Sequence, residues 1–536
     1  MKSTPESPGS TVSRVASVRS VGERGVLAEL SAPEDVLALT EMLNRTPFPG
    51  QREVVPAAET VLITAESPTA MLRIKAEVEK LAIPPYHQSG QKLVDIDTVY
   101  DGQDLRDVAD LAGISVEAVV AAHTGQLWTV AFTGFVPGFG YMRGENDSLT
   151  VPRRPSPRTS VDAGSVALGG SYTGVYPRQS PGGWQIIGHT SCAMWDSDRA
   201  EPALVSPGTS VRYRAVRDKV VVNEPTARAD DNRAGAGLRV LRSLPLTLVQ
   251  DLGRPGHAAI GVSRSGALDQ GSLRRANRLV GNAEGAAALE IVDGGLTVQA
   301  VGDQLLAIAG APAGNRITSE SGSRSAKVAT PFALMDGEVL TLSAPSVGVR
   351  SYLAVRGAID AEGVLGSCST DTLAGLGPKP LAAGDFLAVG PPPAQAVGLP
   401  ETQPVFPEDE TVELELGPGP RMDWLSPGAL ESLVTQEWTV TNDSNRIGMR
   451  LSGVPLERIR HDELPSEGTI CGVIQVPPTG EPVVFLSDHP VTGGYPVIAV
   501  VAPKDLDKAA QIPAGGRVRF KYAPPTTESS YQCARS

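Results

Sequence analysis

Glycine- and proline-rich clusters studded with polar side chains are the stretches of this sequence whose residue types could do chemistry. In "FTGFVPGFGYM", Phe132 to Met142, Gly134, Gly138 and Gly140 stand among Phe135, Phe139 and Tyr141. Glycine lets backbone amides approach a ligand while the rings wall it from water; the same residues equally suit a tight turn packed on a core. "PRRPSPRTSVDAGSVALGGSYTGVYP" adds Arg153, Arg154 and Arg158 beside Ser165, Tyr172, Thr173 and Tyr176. A guanidinium fork matches carboxylate or phosphate, although exposed arginines also simply solvate a surface. "SPGGWQIIGHT" sets Gly182 and Gly183 before Trp184 and an apolar strand ending at His189. That histidine suits a general acid or base near neutral pH, or a structural role.

The second half repeats this density. Asp251, Arg254, Ser265, Asp269 and Asn277 fall in "VQDLGRPGHAAIGVSRSGALDQGSLRRANRLVGN", and "SNRIGMRLSG" brings Arg446 and Arg450. "PSEGTICGVIQVPPTGEPVVFLSDHPVTGGYP" brings Glu467, Gln475, Asp488, His489, Thr492 and Tyr495. Polar groups this dense are expensive to bury unpaired, so a concave site is expected. There is no GxxxxGK[ST], GxSxG or HExxH, no GxGxxG opening a helix after a strand, no amidase signature, and no lysine flanked by methionines of the kind that carries biotin.

Short valine-rich runs bounded by turn residues must position these clusters, which predicts a mainly β chain with small α+β elements. At 536 residues it exceeds one core, and about three or four units are expected. Residues 1–14 read as a loose tail and 15–95 as a small α+β unit, with helices capped by Ser31 and by Ser67 ahead of Pro68. Residues 96–225 read as strands, 226–237 as a linker, and 238–525 as two β-rich pieces, 238–389 and 411–524. "DLRDVADLAGISVEAVVAAH" resembles a helix-turn-helix, but between Lys92 and Glu117 seven acidic residues face two basic ones. A plain helical pair is expected, since phosphate would meet the wrong sign. The net charge of −13 likewise gives no reason to bind nucleic acid or an anionic membrane. No apolar run reaches the roughly 20 residues of a membrane helix, and the first residues lack a signal-peptide core, which points to the cytoplasm. Four widely spaced cysteines suggest neither a disulfide framework nor a structural zinc site, so no metal site is assigned. "SPGGWQIIGHT" and "VTGGYPVIAVV" share a Gly-Gly-aromatic-strand pattern, the echo two related barrels would produce.

"GFVPGFGYM", "PRTSVDAGSVALGG" and "YPRQSPGGWQIIGHT" resemble the family of allophanate hydrolase subunit one, also known as the B subunit of 5-oxoprolinase and as Kip inhibitor. "VQDLGRPG", "SGALDQ", "ANRLVGN", "DSNRIGMRLSG" and "PPTGEPVVFLSDHPVTGGYP" resemble its partner, subunit two or the C subunit of 5-oxoprolinase. The resemblance spans roughly residues 15 to 523 in that order, as if the two subunits were fused. It implies cyclophilin-like β barrels in both halves and an ATP-dependent 5-oxoprolinase, with ATP (and Mg) but no covalently bound biotin. It also implies a partner, the separate LamB/YcsF-type A subunit; a homo-oligomer stays open. Opening a lactam with ATP needs cations around phosphate, a clamp for the substrate carboxylate and an acid or base near the ring nitrogen. Arg158, Arg254, Arg446 and Arg450 are candidates for the first two tasks, and His123, His189, Glu467 and Asp488 for the third. Gly138, Ser165, Tyr176, Gly182, Gly183, Trp184, Asp269, Asn277, Gln475, Thr492 and Tyr495 are expected to line the substrate or nucleotide site. The family carries an arginine-like cation where His189 stands, so His189 reads as a binding residue before a catalyst. Two other readings follow from the same resemblance: a carboxyltransferase module related to urea carboxylase, served by a separate biotin carrier, and a non-enzymatic Kip-like regulator of a kinase.

Overall fold

Two seven-stranded barrels, one in each half of the chain, dominate a computed structural model that describes residues 13–86, 92–217, 235–402 and 411–523. The expected tail falls outside the described residues up to position 12, as do 226–234 of the expected linker. In chain order the strands of the first barrel are Leu93–Thr98, Trp128–Thr133, Gly140–Gly144, Ser165–Gly169, Tyr172–Val175, Gln185–His189 and Ser210–Ala215. Those of the second are Val412–Pro418, Trp438–Val440, Gly448–Ser452, Val473–Gln475, Val483–Phe485, Val497–Val501 and Arg517–Tyr522. Counted one to seven, both run 6-4-5-3-2-7-1 around the barrel, with strands one and seven parallel. The second barrel is fully closed, and in the first a Val99–His189 bridge joins the edges through two 2.9 Å backbone hydrogen bonds.

The shared circuit has shared local causes. In each barrel a tryptophan opens strand two and donates its indole N–H to a carbonyl of the preceding helix, Trp128 to His123 at 2.9 Å and Trp438 to Leu433 at 3.0 Å. The Gly-Gly-aromatic segments occupy matching places: Ser180–Gly182 pairs with Arg158–Val161, and Thr492–Gly493 pairs with Glu467–Gly468, each ribbon leading into strand six.

Helix signals behave as local chemistry dictates, with one exception. Ser67 accepts the Ala70 N–H at 3.1 Å ahead of helix Pro68–Val78, and Ser115 accepts that of Ala118 at 3.2 Å ahead of Val116–Thr124. Ser31 does not cap: helix Pro33–Arg45 starts one residue later, behind Ala32, which offers no side-chain oxygen. The acidic pair resembling a helix-turn-helix is two short helices, Leu105–Ala112 and Val116–Thr124, turned at Gly113 (φ 67°) and packed on the first barrel.

The small N-terminal sheet, Ser17–Val21, Gly25–Glu29, Thr60–Ala65 and Gln51–Pro56 in spatial order, uses the two-residue period of a strand on both faces. Val26, Ala28, Val61 and Ile63 face its own helices, whereas Val21, Leu27, Val55 and Leu62 pack on Val473, Val497 and Val500 of the second barrel. The 238–389 stretch forms a five- and a six-stranded sheet face to face. Leu289, Ile291, Leu306, Ile308 and Leu353 fill the space between them, while Ala288, Ala307, Ala309 and Ala354 leave room on the far side for helix Gln270–Leu279. No helix among the described residues is long and apolar enough to cross a membrane.

Candidate active site at the junction of the halves

Loops from both halves meet around Arg254, Asp371 and Asp488. The "TGFVPGFG" loop of the first barrel touches the second half: Thr133 Oγ1 donates to Ala259 O at 2.6 Å, Gly138 N approaches Ile260 O at 3.5 Å, Val136 lies against Gly261, and Gly134 lies against Thr492. A Cβ on Gly134 would sit 1.9 Å from Thr492 Oγ1, so this approach requires glycine. Phe135 (φ 65°) and Ser265 (φ 53°) flank the junction in left-handed backbone, which costs free energy at both positions.

Asp488 is wholly buried and saturated. Arg446 grips it through Nε and Nη2 at 2.9 and 3.0 Å, Ser265 Oγ donates at 2.7 Å, and the Thr372 backbone and hydroxyl donate at 2.9 and 2.8 Å. Arg446 also reaches the buried Glu290, which in turn accepts from Tyr352 OH at 2.6 Å and Leu268 N at 2.9 Å. Burial opposes ionisation of Asp488, but the charge and hydrogen bonds of Arg446 outweigh it and hold the carboxyl below its ordinary range. Arg446, whose Nη2 also donates to Gly266 O at 2.6 Å, is therefore a clamp between the second barrel and the five-stranded sheet, with four of its five donors engaged.

Asp371 behaves differently. It accepts from Ser263 Oγ at 3.0 Å and Ala374 N at 2.8 Å, but no cation among the described residues bonds to it. Burial and then the negative Asp488 push it up to about 6, from 3.8. Arg254, 1% exposed, donates Nη2 to Ser369 O, while its Nε and Nη1 have no hydrogen-bond partner among the described residues. Burial lowers its affinity for the proton, opposed by the nearby charges of Asp371 and Asp251. Asp251 shapes the surrounding loop by accepting from Gly253 N at 2.7 Å, Ser367 Oγ at 2.6 Å and Cys368 N at 2.7 Å. A carboxyl poised near neutrality beside a buried cation with free donors can exchange a proton and hold an anion.

Several expected site residues serve the framework. His123 lies in the first barrel's core, its nitrogens occupied by Tyr100 OH (2.7 Å) and Thr173 Oγ1 (2.9 Å), and burial drives it down to about 3; it stays neutral with no atom for a substrate. Glu467 is locked to Arg421, which also pairs with Glu29, and burial raises its pKa despite that partner. Trp184 packs edge-on to Phe139 and Tyr141 and stands 5% exposed, so it walls a core cluster and not an open mouth. Gly182 makes room for Tyr176, whose hydroxyl would lie 2.2 Å from an added Cβ; a Cβ on Gly183 would meet Pro157 at an ordinary contact distance of 3.7 Å. Ser165 pairs with His189 in the sheet, and His189 Nδ1 meets Asp101 at 2.7 Å, half-exposed and away from the junction. Asp269 caps helix Gln270–Leu279 through Ser272 N at 2.8 Å, and Asn277 donates to Ala286 O at 2.8 Å. Gln475 donates to Tyr495 O at 3.1 Å with the Tyr495 ring exposed, and Arg450 lies on the outer face of the second barrel. Arg158 binds Asp104 at 2.7 Å. The junction thus brings together Arg254, Arg446, Asp488, Thr492 and Gly138. Asp371 and Thr372 escape a reading of the sequence, because "STDTLAG" acquires meaning only where Thr372 meets Asp488, 116 residues along the chain.

The model of the carboxyltransferase domain, subdomains C and D, matches residues 16–205, and that of subdomains A and B matches residues 260–522. The chain is 39% identical to the C subunit of 5-oxoprolinase from Escherichia coli over 288 residues, 53% of this chain and 90% of that protein. It is 36% identical to the B subunit of 5-oxoprolinase from Escherichia coli O157:H7 over 206 residues, 36% of this chain and 93% of that protein. The chain belongs to the family of the 5-oxoprolinase B and C subunits. Both stand here in one chain, B-like half first. The crystal structure of TTHA0988 covers 93% of the chain and is itself covered to 99%, at 33% identity and a TM-score of 0.81, so the two-barrel arrangement is common to both. Urea amidolyase of Lachancea kluyveri is 33% identical over 318 residues, 54% of this chain but 17% of that protein.

Proposed function

We propose that the chain is the fused B and C component of an ATP-dependent 5-oxoprolinase, opening the lactam of 5-oxoproline to glutamate with a LamB/YcsF-type A subunit. The observation that carries this reading is the near-complete coverage of both the B and the C relatives, 93% and 90%, in a chain whose polar junction draws on both halves. A lactam is a poor electrophile, so phosphoryl transfer from ATP to the amide oxygen, with release of ADP, makes that oxygen a leaving group. Water then adds to the ring carbon, the C–N bond breaks as the ring nitrogen takes up a proton, and a second water displaces phosphate from the resulting acyl phosphate to leave the side-chain carboxylate of glutamate. Arg254 has two free donors for the substrate's carboxylate. Asp371, retaining its proton up to about 6, is suited to deliver it to the ring nitrogen, with Asp488 fixed as an anion beside it by Arg446. The loops around 251–257 and 369–375 must part to admit substrate, since Arg254 is buried.

Phosphate release by the purified chain, measured with and without a LamB/YcsF-type partner, tests this reading. Release should require 5-oxoproline and the partner together. ATP hydrolysis that never depends on 5-oxoproline in the partner's presence defeats the proposal, and dependence on urea with a biotinylated carrier would transfer it to the carboxyltransferase class.

A further inference from the structure

A second cationic cluster lies outside the junction, on the ribbon of the first barrel. Arg154 Nη1 and Arg158 Nη2 both donate to one oxygen of Asp104, at 2.9 and 2.7 Å, and the other oxygen accepts Ile186 N at 2.7 Å. One saturated carboxylate cannot neutralise two guanidinium groups, so the trio carries a net positive charge. Arg154 Nε and Arg158 Nη1 are buried without hydrogen-bond partners among the described residues. The backbone fixes the geometry: Arg154 N donates to Gly183 O at 2.8 Å, and Arg158 begins the strand paired to Ser180–Gly182. Beside them Arg153 pairs with Glu463 at 3.2 Å, with both side chains largely in water, where such a pair is weak and exchangeable.

We propose that Arg154 and Arg158, organised by Asp104, form a phosphoryl-anion subsite that receives the polyphosphate of a nucleoside triphosphate, with Arg153 at its rim. The assignment rests on the ATP-dependent reading above and places the phosphates in the B-like half. Surplus charge and unpaired guanidinium donors fit a multiply charged phosphate better than one carboxylate. The side chains of Arg154, Arg158 and Arg153 are 31%, 18% and 43% exposed, so an anion reaches the outer face of the cluster without opening the core, as it cannot reach the 1% exposed Arg254, while the buried Arg154 Nε and Arg158 Nη1 lie beneath that face.

Calorimetric titration of the full chain with inorganic tripolyphosphate and with ATP, at low salt, tests the subsite and separates the phosphate contribution from that of the nucleoside. Both should bind, and the Arg154→Gln/Arg158→Gln double variant should weaken both by at least about tenfold, equivalent to one charge-assisted contact. Asp104→Asn, which removes the competing charge, should tighten tripolyphosphate binding, and Arg45→Gln on a distant helix should leave it unchanged. Failure of wild type to bind either probe overturns the subsite, as does a folded double variant that binds like wild type. A folded Asp104→Asn chain that binds no more tightly also overturns it, and that variant decides the matter if the double variant does not fold. If binding depends on the arginines but phosphate release never responds to 5-oxoproline with the LamB/YcsF-type partner present, the subsite stands and the oxoprolinase reading falls. If stimulated turnover survives in the double variant, the reverse holds.

Discussion

Asp371 and Asp488 are both buried aspartates, yet their environments drive them apart. Asp488 has a guanidinium against it and stays ionised; Asp371 has only neutral donors and a negative neighbour, and keeps its proton up to about 6. The folded value lies above the unfolded one, so the fold binds this proton more tightly than the unfolded chain does. The stabilisation is complete below about pH 4 and is lost as pH rises through about 6. Asp371→Asn, neutral at every pH, should therefore gain about 3 kcal/mol over wild type in urea unfolding above pH 7 and nothing near pH 4. Turnover should fall by about 100-fold or more in the same variant if the residue is the proton donor. At this scale the sequence was legible for Arg254, which stands in a distinctive glycine turn, and misleading for His123. Its helix carries the imidazole inward to Tyr100 and Thr173, and nothing in the neighbouring residues announces that direction.

Between elements, the Arg446 clamp is the main polar joint. It lies in the turn between strands two and three of the second barrel and binds Glu290 on the five-stranded sheet, so one side chain ties two cores together. Arg446→Met would leave two carboxylates buried without their cation and should cost about 3–5 kcal/mol, read as a lower denaturation midpoint. Glu290→Gln should cost less, because Tyr352 and Leu268 still find an acceptor. Elements themselves were largely readable where their causes are local. Ser67 caps as its position predicts, although Ser31 does not, and the Gly-Gly-aromatic echo marks the same ribbon in both barrels. The barrels' closure was not readable from pattern alone, because the parallel pairing of strands one and seven joins Leu93 to Ser210 and Val412 to Val518. Only the family resemblance supplied it in advance.

Across the whole molecule, the halves are interleaved. The N-terminal sheet shields the second barrel with its outer face, and Arg421 binds Glu29 of that sheet and Glu467 of the barrel. Arg421→Ala should cost about 3 kcal/mol, since it strands the buried Glu467, whereas the half-buried Glu29 keeps Arg19 and Ser17. Scanning calorimetry, expected to show one transition for wild type, should resolve into two as the seam weakens. Glu467 was singled out in the sequence as a chemical group and serves this seam instead. Its ion-pair partner, Arg421, belongs to no motif and shows its importance only across the packed interface.

The interleaving also sets an order of events during synthesis. Leu27 and Leu62 emerge from the ribosome early, but Val497 and Val500, which cover them, follow more than 400 residues later. At about 5–20 residues per second the sheet's apolar outer face waits some tens of seconds for its cover, while the first barrel, whose strands end at Ala215, is free to close well before. The nascent chain thus presents a long-lived sticky surface at its oldest end. Two separately made polypeptides would meet the same problem as a search for a partner in solution; fusion turns that search into a wait within one molecule.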